Sequence, residues 1–166
     1  MRGRLTPWLL ILWLAGCRGG AVADAPEKAV AEGWRWYGLG EFGLAVKAFE
    51  TALAGAGTNR VWRQQALYGL GNTWNLRRPG EDPVKADACY REGIAAAPES
   101  GLAAWIALAL ARMRAAPVGG EPVDAAVQER AYQEVIDAYP GSAAGEEAFL
   151  HQQAAHLEEP RAGRAD

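Results

Sequence analysis

Cysteine, histidine and methionine are scarce in this chain, with two of each among 166 residues. Two cysteines cannot build the disulfide framework that stabilises many small secreted domains, and we predict that Cys89 is a small core residue. On a helix, His151 and His156 would point about 140° apart, so they cannot share a metal ion. The sequence therefore predicts neither a metal site nor a cofactor.

Catalytic motifs are also missing, since the sequence contains no G-x-S-x-G, Walker or H-E-x-x-H pattern. We expect the adjacent Glu146 and Glu147 to lie on a solvated helix face rather than to form a catalytic pair. A hydrolase that used them with His151 would need all three groups in one pocket, which a single surface helix cannot provide. The formal net charge of −3 argues against a nucleic-acid partner, because such a surface needs a basic stripe.

The longest apolar run lies at the N-terminus, where Trp8–Ala15 follows the basic Arg2 and Arg4. A membrane-spanning helix needs about twenty apolar residues, so this shorter run predicts an export signal. The run leads into Leu14-Ala15-Gly16-Cys17, which resembles the lipobox of bacterial lipoproteins. That resemblance implies cleavage before Cys17, acylation of Cys17 and a membrane anchor made of several acyl chains.

Ordinary signal cleavage after Ala21-Val22-Ala23 is the alternative, but that site lies beyond the charged Arg18. Residue 18 is Arg rather than the Asp that resembles an inner-membrane retention signal in some Gram-negative bacteria. We therefore expect an exported, cell-envelope lipoprotein, at the outer membrane and facing the periplasm in such a cell. Residues 1–16 are the predicted signal peptide, and 17–25 are the lipidated Cys and a flexible tether.

Small and bulky residues recur at helical spacing between Gly33 and Leu53, and Gly38-Leu39-Gly40 interrupts the pattern. The order of small, aromatic, small, aromatic, small and large residues resembles the tetratricopeptide repeat, a helix–turn–helix unit of about 34 residues. The matching residues are Gly33, Trp36, Ala45, Phe49, Ala52 and Leu53. This resemblance implies an all-α fold, a short right-handed α-solenoid of antiparallel helix pairs.

The same pattern predicts three repeats and a closing helix. The predicted repeats are 26–59, 60–99 and 100–141, followed by a closing helix over 142–158 and a disordered tail over 159–166. In repeat one, helix A is expected at about 26–38 and helix B at about 41–54. Thr58 or Asn59, Asp82 and Ser100 are predicted helix caps.

Two further assignments complete the repeat pattern. In repeat three, Trp105, Leu108, Ala109 and Arg112 are taken as the helix A matches, with Ala109 as the small residue. In the closing helix, the spacing of Leu150, Ala154 and Leu157 predicts the inward face, and Gln152 is among the polar residues expected to cover the outside.

A groove lined by helix A residues binds the partner in tetratricopeptide proteins. The resemblance assigns it here by offsets from Gly33, Gly71 and Ala109. The assigned partner-binding residues are Val30, Trp34, Tyr37, Tyr68, Asn72, Asn75, Ile106, Leu110 and Met113. Trp34 and Trp36 point to nearly opposite sides of one helix, so we expect Trp36 in the core and Trp34 outside it, as a binding anchor or under another segment.

The groove assignment also predicts the chemistry of the partner. Of the residues that clamp a terminal carboxylate in some family members, only Asn72 matches, so an apolar or aromatic peptide segment is the expected ligand. The sequence thus predicts a non-enzymatic, lipid-anchored interaction scaffold of the bacterial cell envelope. A structural subunit of a secretion, pilus or outer-membrane-assembly complex is the alternative.

Overall fold

The computed structural model describes residues 25–76, 79–117 and 123–158, except for the side chains of 156–158. Every regular element in these ranges is an α-helix. The helices are α1 (Pro26–Gly38), α2 (Phe42–Ala56), α3 (Arg60–Leu76), α4 (Pro83–Ala96), α5 (Gly101–Ala115), α6 (Ala125–Ala138) and α7 (Ala143–Glu158). Each helix packs against the next, and α1, α3, α5 and α7 also contact one another in turn. The predicted all-α, solenoid-like fold is confirmed.

Short polar side chains define where these helices begin. The Asp82 carboxylate accepts a hydrogen bond from the backbone N–H of Lys85 at 3.0 Å, directly before Pro83. The Ser100 hydroxyl accepts one from Ala103 at 3.0 Å. At the start of α3 the cap is Asn59, whose side-chain oxygen accepts from Val61 at 3.0 Å. These contacts satisfy backbone donors that a helix start would otherwise leave unpaired, and they confirm the predicted caps at these helix starts.

Glycines and aromatic rings pack together between the two helices of the first hairpin and of the second. Phe49 and Tyr90 are completely buried, and they lie against Gly33 on α1 and Gly71 on α3, respectively. Small residues allow two helix backbones to approach closely while a ring fills the space beside them, as close packing requires. These contacts explain why the recurring small and aromatic residues predicted the helix pairs.

Gln64 connects three helices in the interior. Its side-chain amide donates to the carbonyl oxygens of Gly93 at 3.0 Å and Ala97 at 3.1 Å, near the end of α4. Its side-chain oxygen accepts from the Ser100 hydroxyl at 2.7 Å, so the cap of α5 is held by α3. A buried amide is tolerated in a core when its polar atoms are paired in this way.

The predicted register of α5 is wrong by one residue. The face that packs against α6 and α7 carries Ala104, Leu108, Ala111 and Ala115, all buried. Leu108 therefore takes the place that was assigned to Ala109. Trp105, predicted to be a core match, is instead 38% exposed.

The inward face of α7 was also predicted wrongly, although its bounds agree with the expected closing helix. Ala144, Ala148 and Gln152 are buried, whereas Leu150 is 65% exposed and Ala154 is exposed. The Gln152 amide donates to Gln133 at 3.0 Å across the helix pair. The small inward residues let α7 pack closely on α5 and α6, and this turns its largest side chains outward.

Several predictions fall outside the described residues. These are the signal peptide, the lipidation of Cys17, most of the tether, the tail over 159–166 and the inward position of the Leu157 side chain. Among the helices that are described, none is both long enough and apolar enough to cross a bilayer.

Candidate binding groove between the second and third hairpins

A cavity of about 460 Å³ lies between α3 and α5, the first helices of the second and third hairpins. Its lining combines aromatic rings, amides and one guanidinium group. The principal residues are Tyr68, Asn72 and Asn75 from α3, Tyr90 from α4, and Trp105, Ala109, Arg112 and Met113 from α5. This volume falls within the range of small-ligand and peptide side-chain sites. We call this cavity the groove.

The amide of Asn72 is fixed at the α3 side of the groove. Its NH₂ group donates to the carbonyl oxygen of Tyr68 at 3.0 Å, and its oxygen accepts from the Tyr90 hydroxyl at 3.1 Å. Burial raises the pKa of Tyr90 well above its ordinary value, and the neighbouring phenols of Tyr68 and Tyr37 add to the rise. Tyr90 therefore stays a neutral hydrogen-bond donor throughout the physiological range.

Arg112 brings a positive charge to the α5 side, and α7 holds it in place. Its guanidinium forms an ion pair with Glu147 and lies 2.9 Å from Nε2 of His151, which can accept a hydrogen bond from it. The His151 ring in turn stacks on Tyr132, with 5.4 Å between the ring centroids. The guanidinium of Arg112 is therefore already paired with a carboxylate where it borders the groove.

Trp105 and Arg112 are groove residues that the sequence-based assignment missed. The expected positions on α5 were Ile106, Leu110 and Met113, one residue further along than Trp105, Ala109 and Arg112. The shift follows directly from the error in the α5 register. The spacing of Ala104, Leu108, Ala111 and Ala115 was the signal that could have corrected it, because it marks one continuous helix face.

The nine predicted partner-binding residues divide into three sets, of which Trp34 and Tyr37 form the last. Tyr68, Asn72 and Asn75 line the groove as expected. Four others lie in the interior, with exposures of 8% or less, and among them only Met113 also borders the cavity. The four buried residues are Val30, Ile106, Leu110 and Met113.

Trp34 also packs against core residues, contrary to the expectation that it lies outside the core. Its ring meets Phe49 edge-on, with centroids 5.1 Å apart, and lies 5.4 Å from Tyr37 and 5.6 Å from Tyr68. Burial raises the pKa of Tyr37, and the adjacent Tyr68 adds to the rise. Trp34 is itself half-buried and joins two clusters of buried residues from α1, α2 and α3, and Tyr37 lies half-buried beside it.

A second cavity, of about 420 Å³, lies on the opposite side of α5 and is bordered by α4 and α6. Its floor is apolar, and its charged rim is internally paired. Arg114 lies 3.1 Å from Asp87 and 3.7 Å from Glu134. Burial of Asp87 acts to raise its pKa, but hydrogen bonds from Arg91 and Arg114 outweigh this and lower it. We favour the groove as the functional site because it combines an exposed indole with several polar side chains.

No group of three or more His, Cys, Asp or Glu residues that could hold a metal ion occurs in the part of the chain that the structure describes. No protein-family model matches the chain, and no curated protein matches it either.

Proposed function

We propose that this chain is a lipid-anchored, tetratricopeptide-like scaffold of the bacterial cell envelope that holds a protein partner and catalyses no reaction. Cys17 is the proposed lipidation site, and the outer membrane, with the protein facing the periplasm, is the proposed location. The proposal rests on the lipobox-like Leu14–Cys17 together with a groove built on the first helices of adjacent hairpins.

The observation that carries the binding function is that two aromatic side chains from different hairpins, Tyr68 and Trp105, line the same groove. Trp105 is partly exposed although it is the largest type of side chain, and aromatic residues of this kind often dominate the energy of protein interfaces. The side chains of Asn72 and Asn75 border the same cavity and are of the type that binds a peptide backbone. An apolar or aromatic segment of a partner protein fits this lining best.

The binding proposal is tested by comparing proteins captured with the lipidated wild-type chain and with single variants, in the cells that produce it. Trp105→Ala and Tyr68→Ala should each weaken capture of the same partner by about thirtyfold, the effect of losing ~2 kcal/mol at an interface hot spot. Val84→Ala is the control, because Val84 is 78% exposed and lies outside the groove lining. Equal capture by all four proteins would contradict the groove assignment.

The anchor is tested separately. Cys17→Ser should give a protein that no longer fractionates with membranes, since the acyl chains attach through that cysteine. A mature N-terminus at Asp24, measured by mass spectrometry, would show that ordinary signal cleavage occurs instead.

A further inference from the structure

The turns within the three hairpins lie at one edge of the solenoid. The two helices of each hairpin pack on each other along their length and run antiparallel. Successive first helices are parallel, because Trp34 near the end of α1 lies beside Tyr68 on α3, and Leu76 and Ala116, at the ends of α3 and α5, border the same groove. The ends of α1, α3 and α5 and the starts of α2, α4 and α6 therefore share one edge, which we call the turn edge.

All three hairpins expose apolar side chains at the turn edge. These side chains are Leu39, Leu44, Leu76, Val84 and Val127. At the opposite edge, Val61 is the corresponding exposed side chain among the described residues. A single exposed apolar residue is ordinary, but a concentration of them along one edge is typical of a surface that contacts something other than water.

Two tryptophans at the turn edge are each covered by a cation. The guanidinium of Arg35 lies 4.2 Å from the ring centroid of Trp36, in the last turn of α1. The ammonium of Lys85, at the start of α4, lies 4.4 Å from the ring centroid of Trp74, near the end of α3. Tryptophan rings and long cationic side chains are the groups that proteins place at the level of lipid headgroups, where the cations meet phosphate oxygens.

We propose that the turn edge rests on the surface of the phospholipid membrane to which the chain is anchored. The exposed apolar side chains enter the interface, and Arg35 and Lys85 lie at the level of the phosphates. This inference rests on the proposed lipid anchor and adds the orientation of the scaffold on the membrane. The anchor keeps the turn edge at a high effective concentration near the lipid, so a contact that is weak by itself is enough.

The charge of the turn edge indicates which lipids it contacts. Four carboxylates lie close to the starts of the second helices, and they outnumber the two cations. They are Glu41, Glu81, Asp82 and Asp124. The edge is therefore not a basic patch of the kind that binds anionic lipids. Its attraction to the membrane is apolar, so a zwitterionic phospholipid surface is the expected partner.

The length of the tether is compatible with this orientation. Pro26 begins α1 at the edge opposite the turn edge, and Cys17 lies nine residues before it. Nine residues span at most about 30 Å, whereas the 13 residues of α1 are about 20 Å long. The tether therefore reaches from the membrane past α1 with about 10 Å to spare. Deletion of residues 19–23 leaves about 13 Å, which is too short.

Site-specific fluorescence quenching tests the orientation. In a Cys89→Ala background, Val84→Cys and Val61→Cys are each labelled with nitrobenzoxadiazole. The lipidated chains are reconstituted into phosphatidylcholine vesicles that contain a lipid with a nitroxide at the top of its acyl chain. The label at position 84 should be quenched at least about threefold more than the label at position 61, because the opposite edge lies about one helix length, ~20 Å, further from the membrane.

Changes elsewhere in the chain provide a second arm, with the label at position 84 as the readout. Leu39→Glu should reduce the quenching by at least about half, because it places a carboxylate in the apolar interface. Leu150→Glu is the matched control, since Leu150 is 65% exposed and Leu39 is 63% exposed, but Leu150 lies in the middle of α7. Deletion of residues 19–23 should also reduce the quenching. Thermal melts of the variants show whether the fold is kept.

The outcomes separate this inference from the proposed anchor. Equal quenching of the two labels, in chains that float with the vesicles, would overturn the membrane contact and leave the anchor intact. Quenching that Leu39→Glu and Leu150→Glu reduce equally would also overturn it. If mass spectrometry shows that Cys17 is not acylated, the anchor is wrong. The labelled chains, from residue 18 onward, are then held on nickel-chelating lipids by an N-terminal hexahistidine tag, and the same comparison of positions 84 and 61 decides the orientation.

Discussion

The ring of Phe49 fills the space beside Gly33, where a Cβ atom would lie only 2.5 Å from Cε1 of that ring. Gly69, on the next hairpin, approaches the same ring, and a Cβ atom there would lie 2.3 Å from it. Phe49 is fully buried between the two helices. Two glycines from consecutive hairpins therefore let one aromatic ring join α1, α2 and α3.

We predict that Gly33→Ala destabilises the fold although alanine is the better helix former. The gain in helix propensity is at most ~1 kcal/mol, whereas forcing a methyl group into a filled core typically costs ~1–3 kcal/mol. The buried ring has no free space into which it can move. Thermal unfolding followed by circular dichroism should show a melting temperature lowered by several degrees.

Gly43→Ala is the control for this experiment. A Cβ atom on Gly43 would have no heavy atom within 4 Å. Gly43→Ala therefore gains helix propensity without a steric clash, and the stability of the fold should rise slightly. If Gly33→Ala raised the melting temperature as Gly43→Ala does, the close packing of Phe49 against α1 would be wrong.

The sequence was most informative where a single residue type has a clear local role. Asp82 before Pro83, and Ser100 before Gly101, marked the starts of α4 and α5, because a cap residue satisfies local backbone donors whatever the distant packing. Gly33 and Phe49 marked the first helix pair, because few other residue types permit so close an approach. The bounds of α1 and α7 followed from the same local signals.

Faces of the alanine-rich helices could not be predicted in the same way. α5 has small or apolar residues on nearly every side, so the aromatic Trp105 was matched to a core position that Ala104 occupies. In α7 the hydrophobic residues suggested Leu150 as inward, but close packing on α5 and α6 selected Ala144 and Ala148. Hydrophobicity alone does not identify the buried face of such a helix, because a face of small residues can pack more closely against neighbouring helices than a face of large apolar residues.

The two tryptophans of α1 give a second prediction, opposite to the expectation from sequence. Trp34 touches two core clusters and meets Phe49 edge-on. Trp36 is half-buried, as Trp34 is, but it packs against only one of these clusters, its indole N–H donates to Glu32 at 3.2 Å, and the guanidinium of Arg35 lies over its ring at 4.2 Å. Trp34→Ala should therefore approach the ~3–5 kcal/mol typical of aromatic truncation in a core, and Trp36→Ala should cost clearly less.

Urea unfolding of the two variants measures this difference in stability. When the dependence of the free energy of unfolding on urea concentration is unchanged, the midpoint concentration shifts in proportion to stability. A larger loss for Trp36→Ala than for Trp34→Ala would restore the original assignment, with Trp34 at the surface.

A third prediction concerns the buried amide of Gln64. Gln64→Met keeps the length of the side chain but removes the donors to Gly93 and Ala97 and the acceptor for Ser100. Losing such buried partners typically costs ~1–3 kcal/mol, measured by chemical unfolding. Gln65→Met, at the next and only half-buried position, should cost much less. Similar losses in the two variants would show that the three-helix connection is not important for stability.

The last prediction is a slow reaction of Cys89 with alkylating reagents. Burial raises the pKa of the Cys89 thiol from its ordinary value of 9.0 to about 11, and the charge of Glu92 adds to the rise. Since only the thiolate reacts, its fraction at pH 8 should be about a hundredfold lower than in the unfolded chain. In a Cys17→Ser variant Cys89 is the only thiol, so the rate of iodoacetamide modification reports on it alone.

The dependence of the Cys89 modification rate on pH is the most direct test of the raised pKa. Between pH 8 and pH 10 the rate for the folded chain should rise about tenfold per pH unit, whereas the rate in denaturant should level off above pH 9. Because the folded pKa is raised, Cys89 contributes stability that is fully present below pH 9.0 and is lost as the pH rises toward about 11. A folded chain that reacts at pH 8 as fast as the denatured chain would contradict the packing of Cys89 against the core around Phe49 and Leu70.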